Sequence, residues 1–332
     1  MKAPATVIVC GGLRIDYLIS AEGQARLNQL GGNAVYAAVG ARIFAGEVMI
    51  LARAGENYPQ QWLDDLARKG ILSDYVRRVP GWQDMRTFYA YVDEKTRVDH
   101  DPQVHFARIG QPLPPELEGY NFSTQDTQNK DSLLALRGAD VPQEKIEATL
   151  AHLAPTALRS QYELVREFRR RGVQQITVDP GEYTMTPQNE GTTRKMCAQI
   201  DAFLPSELEV NLLLNTTNVH EAAETFAAWG TSLVVIKRGP DGCVLYERDR
   251  RRLTAIPPYP ARVVDVTGAG DVFSGAFAAA LWRTGDATRA ALMGSVAASF
   301  AVEGYGALYA LNPPREQVQD RLTTLAAMSG VD

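Results

Sequence analysis

The sequence is short of the side chains that build metal and disulfide frameworks. Its three cysteines (Cys10, Cys197, Cys243) and four histidines (His100, His105, His152, His220) are scattered over 332 residues. No pair has ligand spacing, so a structural zinc site or a disulfide scaffold is excluded and free thiols in a reducing compartment are expected. No run of about 20 apolar residues exists, which removes a membrane-spanning helix. Residues 1–6 lack the apolar stretch of an export signal, and a cytoplasmic location is expected. A cationic excess is also missing. A net charge of −5 argues against a nucleic-acid backbone as the main partner. The cluster Arg248-Asp249-Arg250-Arg251-Arg252 is a local exception and reads as a solvated hairpin turn. No internal repeat stands out. A Gly-x-x-x-x-Gly-Lys-Ser/Thr loop is absent, as is a dinucleotide-binding glycine fingerprint with its later acidic residue.

What is present is an ordinary globular composition, 45% hydrophobic and 22% charged. Strand-like runs alternate with helical patterns along nearly the whole chain. Thr6–Cys10 is followed by a helix over Gly32–Phe44, a strand over Val48–Ala52 and an amphipathic segment over Pro59–Lys69. Later come Leu150–Ala154, a helix over Ala157–Arg171, then Gln175–Val178, Ala202–Leu204, Leu233–Lys237 and Val244–Glu247. Helices from Gly270, Ala287 and Pro314 close the series. This predicts an α/β fold, a mostly parallel central sheet with helices on both faces. Two β pairs interrupt it: Arg14–Ser20 with Ala25–Leu30, and Thr87–Val92 with Arg97–Phe106 joined by a turn at Asp93-Glu94-Lys95. Both leave the main series as pairs and are candidates for a small sheet beside the core.

The most informative segment is Val264-Asp265-Val266-Thr267-Gly268-Ala269-Gly270-Asp271, followed by the small and apolar residues 272–281. A glycine turn opening a buried helix offers unpaired N–H groups to an anion, and Asp271 adds a carboxylate beside them. Lys237 ends a strand before Arg238-Gly239-Pro240-Asp241-Gly242, a position suited to nucleotide phosphates or to a solvated hairpin. Ser206-Glu207-Leu208-Glu209 reads as a capping box. Asp179-Pro180-Gly181 ends another strand and fits either a phosphate-side carboxylate or a plain turn.

Together these residues resemble the ribokinase/PfkB carbohydrate-kinase family. Asp265 to Asp271 and Gly275-Ala276-Phe277-Ala278 match its C-terminal signature. The resemblance implies one ribokinase-like domain over residues 1–332, with a β-sheet lid inserted at about 13–30 and 86–107. It implies transfer of the γ-phosphoryl group of ATP to a hydroxyl of a small sugar or sugar-like acceptor. Asp271 is then the base, with Gly268, Ala269 and Gly270 amides on the migrating group. Lys237, Gly239, Gly242, Thr267 and Gly306 fall at the nucleotide, and Asp16, Gly31, Gly32 and Asn33 at the acceptor. Glu209 takes the place of a glutamate that organises the water around Mg²⁺, although Ser206 stands where the family usually has Asn. Carbonyls near Asp265 and Thr267 are candidates for K⁺, and the lid for a homodimer contact. Tyr36 occupies a usual Asn position, which leaves the acceptor open. Arg14, Arg86 and Arg97 are available for an acidic one. The alternatives are a nucleoside kinase of the same family and a non-catalytic sugar- or nucleotide-sensing relative. No nucleic acid or membrane partner is expected.

Overall fold

Alternation along the first strand sets up the layers. Val7 and Val9 enter one apolar cluster and Ile8 and Cys10 another, because successive side chains of a strand face opposite ways. The structure, a computed structural model, describes residues 6–92, 97–121, 132–142 and 150–330. The chain begins β1 (Thr6–Cys10), β2 (Arg14–Ile19), β3 (Ala25–Gly31), α1 (Asn33–Phe44), β4 (Glu47–Gly55), α2 (Gln60–Arg68) and β5 (Ile71–Val79). It continues with β6 (Arg86–Tyr91), β7 (Arg97–Val98), α3 (Pro102–Arg108), β8 (Leu150–Leu153), α4 (Leu158–Arg170) and β9 (Gln175–Val178). Then follow α5 (Glu190–Cys197), β10 (Ala202–Phe203), α6 (Glu207–Leu214), α7 (Val219–Ala228) and β11 (Leu233–Lys237). Last are β12 (Cys243–Glu247), β13 (Arg252–Ile256), α8 (Ala269–Thr284), α9 (Ala287–Ala301) and α10 (Arg315–Ser329).

Among the described residues the large sheet has the order β13-β12-β11-β10-β9-β8-β1-β4-β5. It is parallel from β11 to β5, and β12 and β13 add antiparallel at one edge. Residues of α1, α8 and α9 fill one face and those of α4 and α7 the other, as the alternation pattern predicts. Among the described residues no helix is long and apolar enough to cross a membrane.

The two interrupting β pairs do meet, in a four-stranded sheet of order β3-β2-β6-β7. β2 and β6 run parallel, from Ile15 opposite Arg86 to Ile19 opposite Ala90. One expectation fails here. Arg97–Phe106 is not a strand: β7 ends at Val98, and Pro102 opens α3 from the first helical position, where a missing N–H costs nothing. The expected turn at Asp93-Glu94-Lys95 lies outside the described residues.

The helix that carries Asp271 is clamped by glycine. A Cβ on Gly275 would overlap the Ala37 carbonyl of α1, and one on Gly40 would overlap the Val272 carbonyl of α8. The two backbones therefore touch directly. Gly275→Ala should push the helices apart and lower the unfolding free energy by about 1–3 kcal/mol, the usual cost of overpacking. Urea unfolding monitored by tryptophan fluorescence measures it, and a wild-type midpoint would show that the contact is not tight.

Candidate active site

α8 begins at Gly268, its N-cap, which adopts φ 72°. Glycine alone fits there, since a Cβ would run into the Tyr36 ring. Among the described residues the amides of Gly268, Gly270 and Asp271 have no hydrogen-bond partner, whereas Ala269 N–H donates to the Val266 carbonyl at 3.2 Å. The three donors expected at Gly268, Ala269 and Gly270 are thus shifted: the Asp271 amide replaces that of Ala269. The Asp271 side chain also lacks a hydrogen-bond partner among these residues and borders a cavity of about 240 Å³. Gly268, Thr267, Glu209, Asp16, Gly32 and Asn33 border the same space.

A helix N-terminus should keep Asp271 ionised. Other forces win. Burial, then the Asp179 and Glu209 carboxylates, hold its pKa well above the ordinary value against the pull of Lys237. The helix end alone favours the carboxylate; the surroundings of Asp271 favour its protonated form.

Behind the glycine turn lies a polar cluster. Lys237 is not a solvated hairpin lysine: its side chain is 15% exposed and its Nζ donates to Asp179 Oδ2 at 2.5 Å. Ser274, one helical turn beyond Asp271, donates to the same oxygen at 2.6 Å. Burial works against the Lys237 ammonium, but Asp179, Glu209 and Asp271 outweigh it and raise its pKa. Ser274 is marked in the sequence by a hydroxyl three residues after Asp271, on the same face of an otherwise apolar stretch.

Glu209 reconciles two uses. The capping box forms, with Glu209 Oε2 accepting from Ser206 N–H at 2.7 Å and Ser206 Oγ from Glu209 N–H at 3.3 Å. The same side chain still borders the cavity. Burial and then Asp179 push its pKa to about 8, Lys237 opposing.

Asp16, also in the cavity lining, is buried on β2. Gly31 makes its seat, since a Cβ there would coincide with the Asp16 carboxylate. Asn33 is spent on the backbone: Oδ1 accepts from Gly12 N–H at 2.8 Å and Nδ2 donates to the Pro155 carbonyl. Asn33 and Asp16 both border the cavity, and the Asn33 amide is held by backbone partners. Burial pushes its pKa to about 7; Arg14 opposes and Asp265 adds to the rise. The folded chain thus holds this proton more tightly than the unfolded chain. The stabilisation is complete below about pH 4 and is lost as the pH rises to about 7. Asp16→Asn removes the titration, so thermal melts should show the variant gaining on wild type across that window, by up to about 4 kcal/mol. Parallel curves from pH 4 to 8 would contradict a buried, titrating Asp16.

Gly239, Gly242, Gly306 and Asp265 are not part of the lining of this cavity. Gly239 (φ 54°) and Gly242 (φ 77°) shape the β11–β12 connection, where a Cβ on Gly242 would overlap the Ile256 carbonyl. Gly306 (φ 82°) follows Tyr305, which stacks under Arg26 of β3 at 4.5 Å. Asp265 Oδ1 accepts from Thr267 N–H at 2.9 Å, and Thr267 Oγ1 meets the Tyr91 hydroxyl of β6 at 2.7 Å. The small sheet is thereby tied to the turn before α8. Of the three arginines offered for an acidic acceptor, Arg86 is occupied: it is bidentate to Asp84 at 2.7 and 2.8 Å and donates to the Glu116 and Glu118 carbonyls. Arg14 and Arg97 border the cavity, the latter 4.2 Å above Tyr89.

A family model described as pfkB family carbohydrate kinase matches residues 14–313. The cytidine kinase of Thermococcus kodakarensis is 26% identical over 281 residues, covering 83% of this chain and 88% of its own. Two solved structures share the fold. A candidate ribokinase II from E. coli, in complex with ATP and Mg²⁺, superposes with a TM-score of 0.73 at 19% identity, over 96% of this chain and 99% of its own. The nucleoside kinase of Burkholderia thailandensis, in complex with ADP-inosine, gives 0.70 at 19% identity, over 97% and 96%.

Proposed function

The chain belongs to the pfkB family of carbohydrate kinases, and on that premise we propose that it moves the γ-phosphoryl group of ATP to a hydroxyl of a small sugar or sugar-like acceptor. One observation carries the reading: an unpaired Asp271 carboxylate stands beside three unoccupied amides at the mouth of α8. Phosphoryl transfer asks for little more than an in-line acceptor and donors aimed at the migrating charge.

Asp16, 2% exposed in the cavity lining, accepts hydrogen bonds from acceptor hydroxyls and orients the polyol. Asp271 takes the proton of the attacking hydroxyl. As the new O–P bond forms, the bond from the γ-phosphorus to the bridging oxygen breaks and ADP leaves with that oxygen. The amides of Gly268, Gly270 and Asp271 hold the charge in flight. Glu209, which borders the cavity, would organise the water around Mg²⁺ carried by phosphate oxygens. Bound there, Mg²⁺ would neutralise phosphate charge. Potassium near the Asp265 and Thr267 carbonyls is a further part of this reading.

A nucleoside acceptor is the second reading. It is favoured by the likeness to a cytidine kinase over most of both chains and by Tyr89, whose ring borders the cavity. The test is ADP release with Mg²⁺ and ATP against a panel of pentoses, hexoses, sugar acids and nucleosides. Turnover with at least one acceptor is expected, and the acceptor decides between the two readings. Binding of panel members with no phosphorylated product would point instead to a sensing relative.

A further inference from the structure

The catalytic pocket uses the N-terminal end of α8. The other end of that helix, 16 residues and about 24 Å away, opens on a second and larger space. This groove, about 960 Å³, is lined by Arg42, Arg283, Arg289 and Arg315, and Asp286 is the one carboxylate of its lining. None of the four guanidinium groups forms an ion pair among the described residues, in a chain whose net charge is −5.

Helix electrostatics accounts for half of this cluster. Arg42 and Arg283 sit in the last turns of α1 and α8, where cations complement exposed carbonyls, and they donate to Ala45 O and Phe44 O at 3.4 Å. The other half runs against it. Arg315 is the first residue of α10, and Arg289 lies in the first turn of α9, both at helix ends that already carry positive charge. Asp286 caps α9, its Oδ1 accepting from Arg289 N–H at 3.0 Å, and sets one negative charge against four positive ones. Four arginines and the α10 N-terminus thus border one concavity. Nothing in the packing requires it: Arg283, Arg289 and Arg315 are exposed.

We propose that this groove is a second anion site, separate from the catalytic pocket, for a small soluble ligand bearing two or more phosphate groups. Guanidinium groups bind phosphate oxygens through paired N–H donors, and four of them exceed what one monoanion can use. The concave shape and the negative net charge of the whole chain favour a small ligand over a nucleic acid.

The test is calorimetric titration of the full chain with inorganic tripolyphosphate at low salt. The variants are Arg289→Gln/Arg315→Gln and the charge-retaining Arg289→Lys/Arg315→Lys, with circular dichroism to verify folding. The catalytic pocket should bind the probe in every form, so the readout is the second equivalent. Wild type should take up two equivalents and the Gln variant one, the groove step weakening by at least about tenfold. The Lys variant should keep that step within a few-fold. If the double Gln variant does not fold, Arg315→Gln alone should weaken the groove step. Equal stoichiometry and affinity in wild type and Gln variant would overturn the site. Arginine-dependent binding of a DNA duplex tighter than that of tripolyphosphate would overturn the ligand class.

Discussion

Asp271→Asn should lose turnover by about three orders of magnitude, the range for removing a general base, while nucleotide affinity changes only a few-fold. Asparagine preserves the shape of the side chain and leaves the backbone donors of Gly268, Gly270 and position 271 in place. What it removes is the proton acceptor. The variant should also be at least as stable as wild type. Burial together with the Asp179 and Glu209 carboxylates destabilises a charge at 271, so a neutral amide relieves the fold. A variant that is inactive and no less stable is the signature of a group kept for chemistry. In wild type the same forces make turnover climb with pH as Asp271 ionises, because the basic form carries the reaction. Single-turnover phosphorylation and thermal melts of the two proteins measure both parts. Similar transfer rates would remove Asp271 from the role.

Lys237→Met should be costly in a different way. Asp179 is 1% exposed, and its Oδ2 takes Lys237 and Ser274. Its other oxygen is buried and has no partner among the described residues. Without the ammonium this carboxylate keeps one hydroxyl donor, and removing one partner of a buried ion pair typically costs about 3–5 kcal/mol. The deficit should grow as the pH rises above the ordinary carboxylate range, since an unpaired buried acid must then lose its proton inside the protein. The double variant Lys237→Met/Asp179→Asn should recover part of the loss, because position 179 then carries no charge to strand, while Glu209 and Asp271 still lack the ammonium. Urea unfolding at several pH values gives the cycle. A double variant as unstable as the single one would show that the lysine stem, not the charge pair, supplies the stability.

The sequence made the catalytic turn legible because that turn depends on local features. A glycine that must adopt positive φ, a carboxylate one turn into a helix and a buried apolar run all leave marks in consecutive residues. The parallel core strands were legible for the same reason. The edges were not: β5 (Ile71–Val79) and β13 (Arg252–Ile256) mix charge into every stretch, as strands with one unpaired side do, and so lack the apolar run that marks a core strand. Long-range pairing escaped too. Asn33 reads as a ligand group until the fold brings Gly12 and Pro155 to its amide. Arg86 reads as a free cation until Asp84 and two carbonyls surround it. The raised pKa of Asp271 is not legible, because the helix end is local and visible, whereas its burial and the approach of Asp179 and Glu209 are set by the fold.

The most direct measurement is a crystal structure with a turned-over acceptor and a non-hydrolysable ATP analogue. One acceptor hydroxyl should lie within about 3 Å of the Asp271 carboxylate and in line with the γ-phosphorus, whose oxygens should face the Gly268, Gly270 and Asp271 amides. An acceptor held with its hydroxyls away from Asp271, or a γ-phosphate bound elsewhere than the mouth of α8, would contradict the assignment.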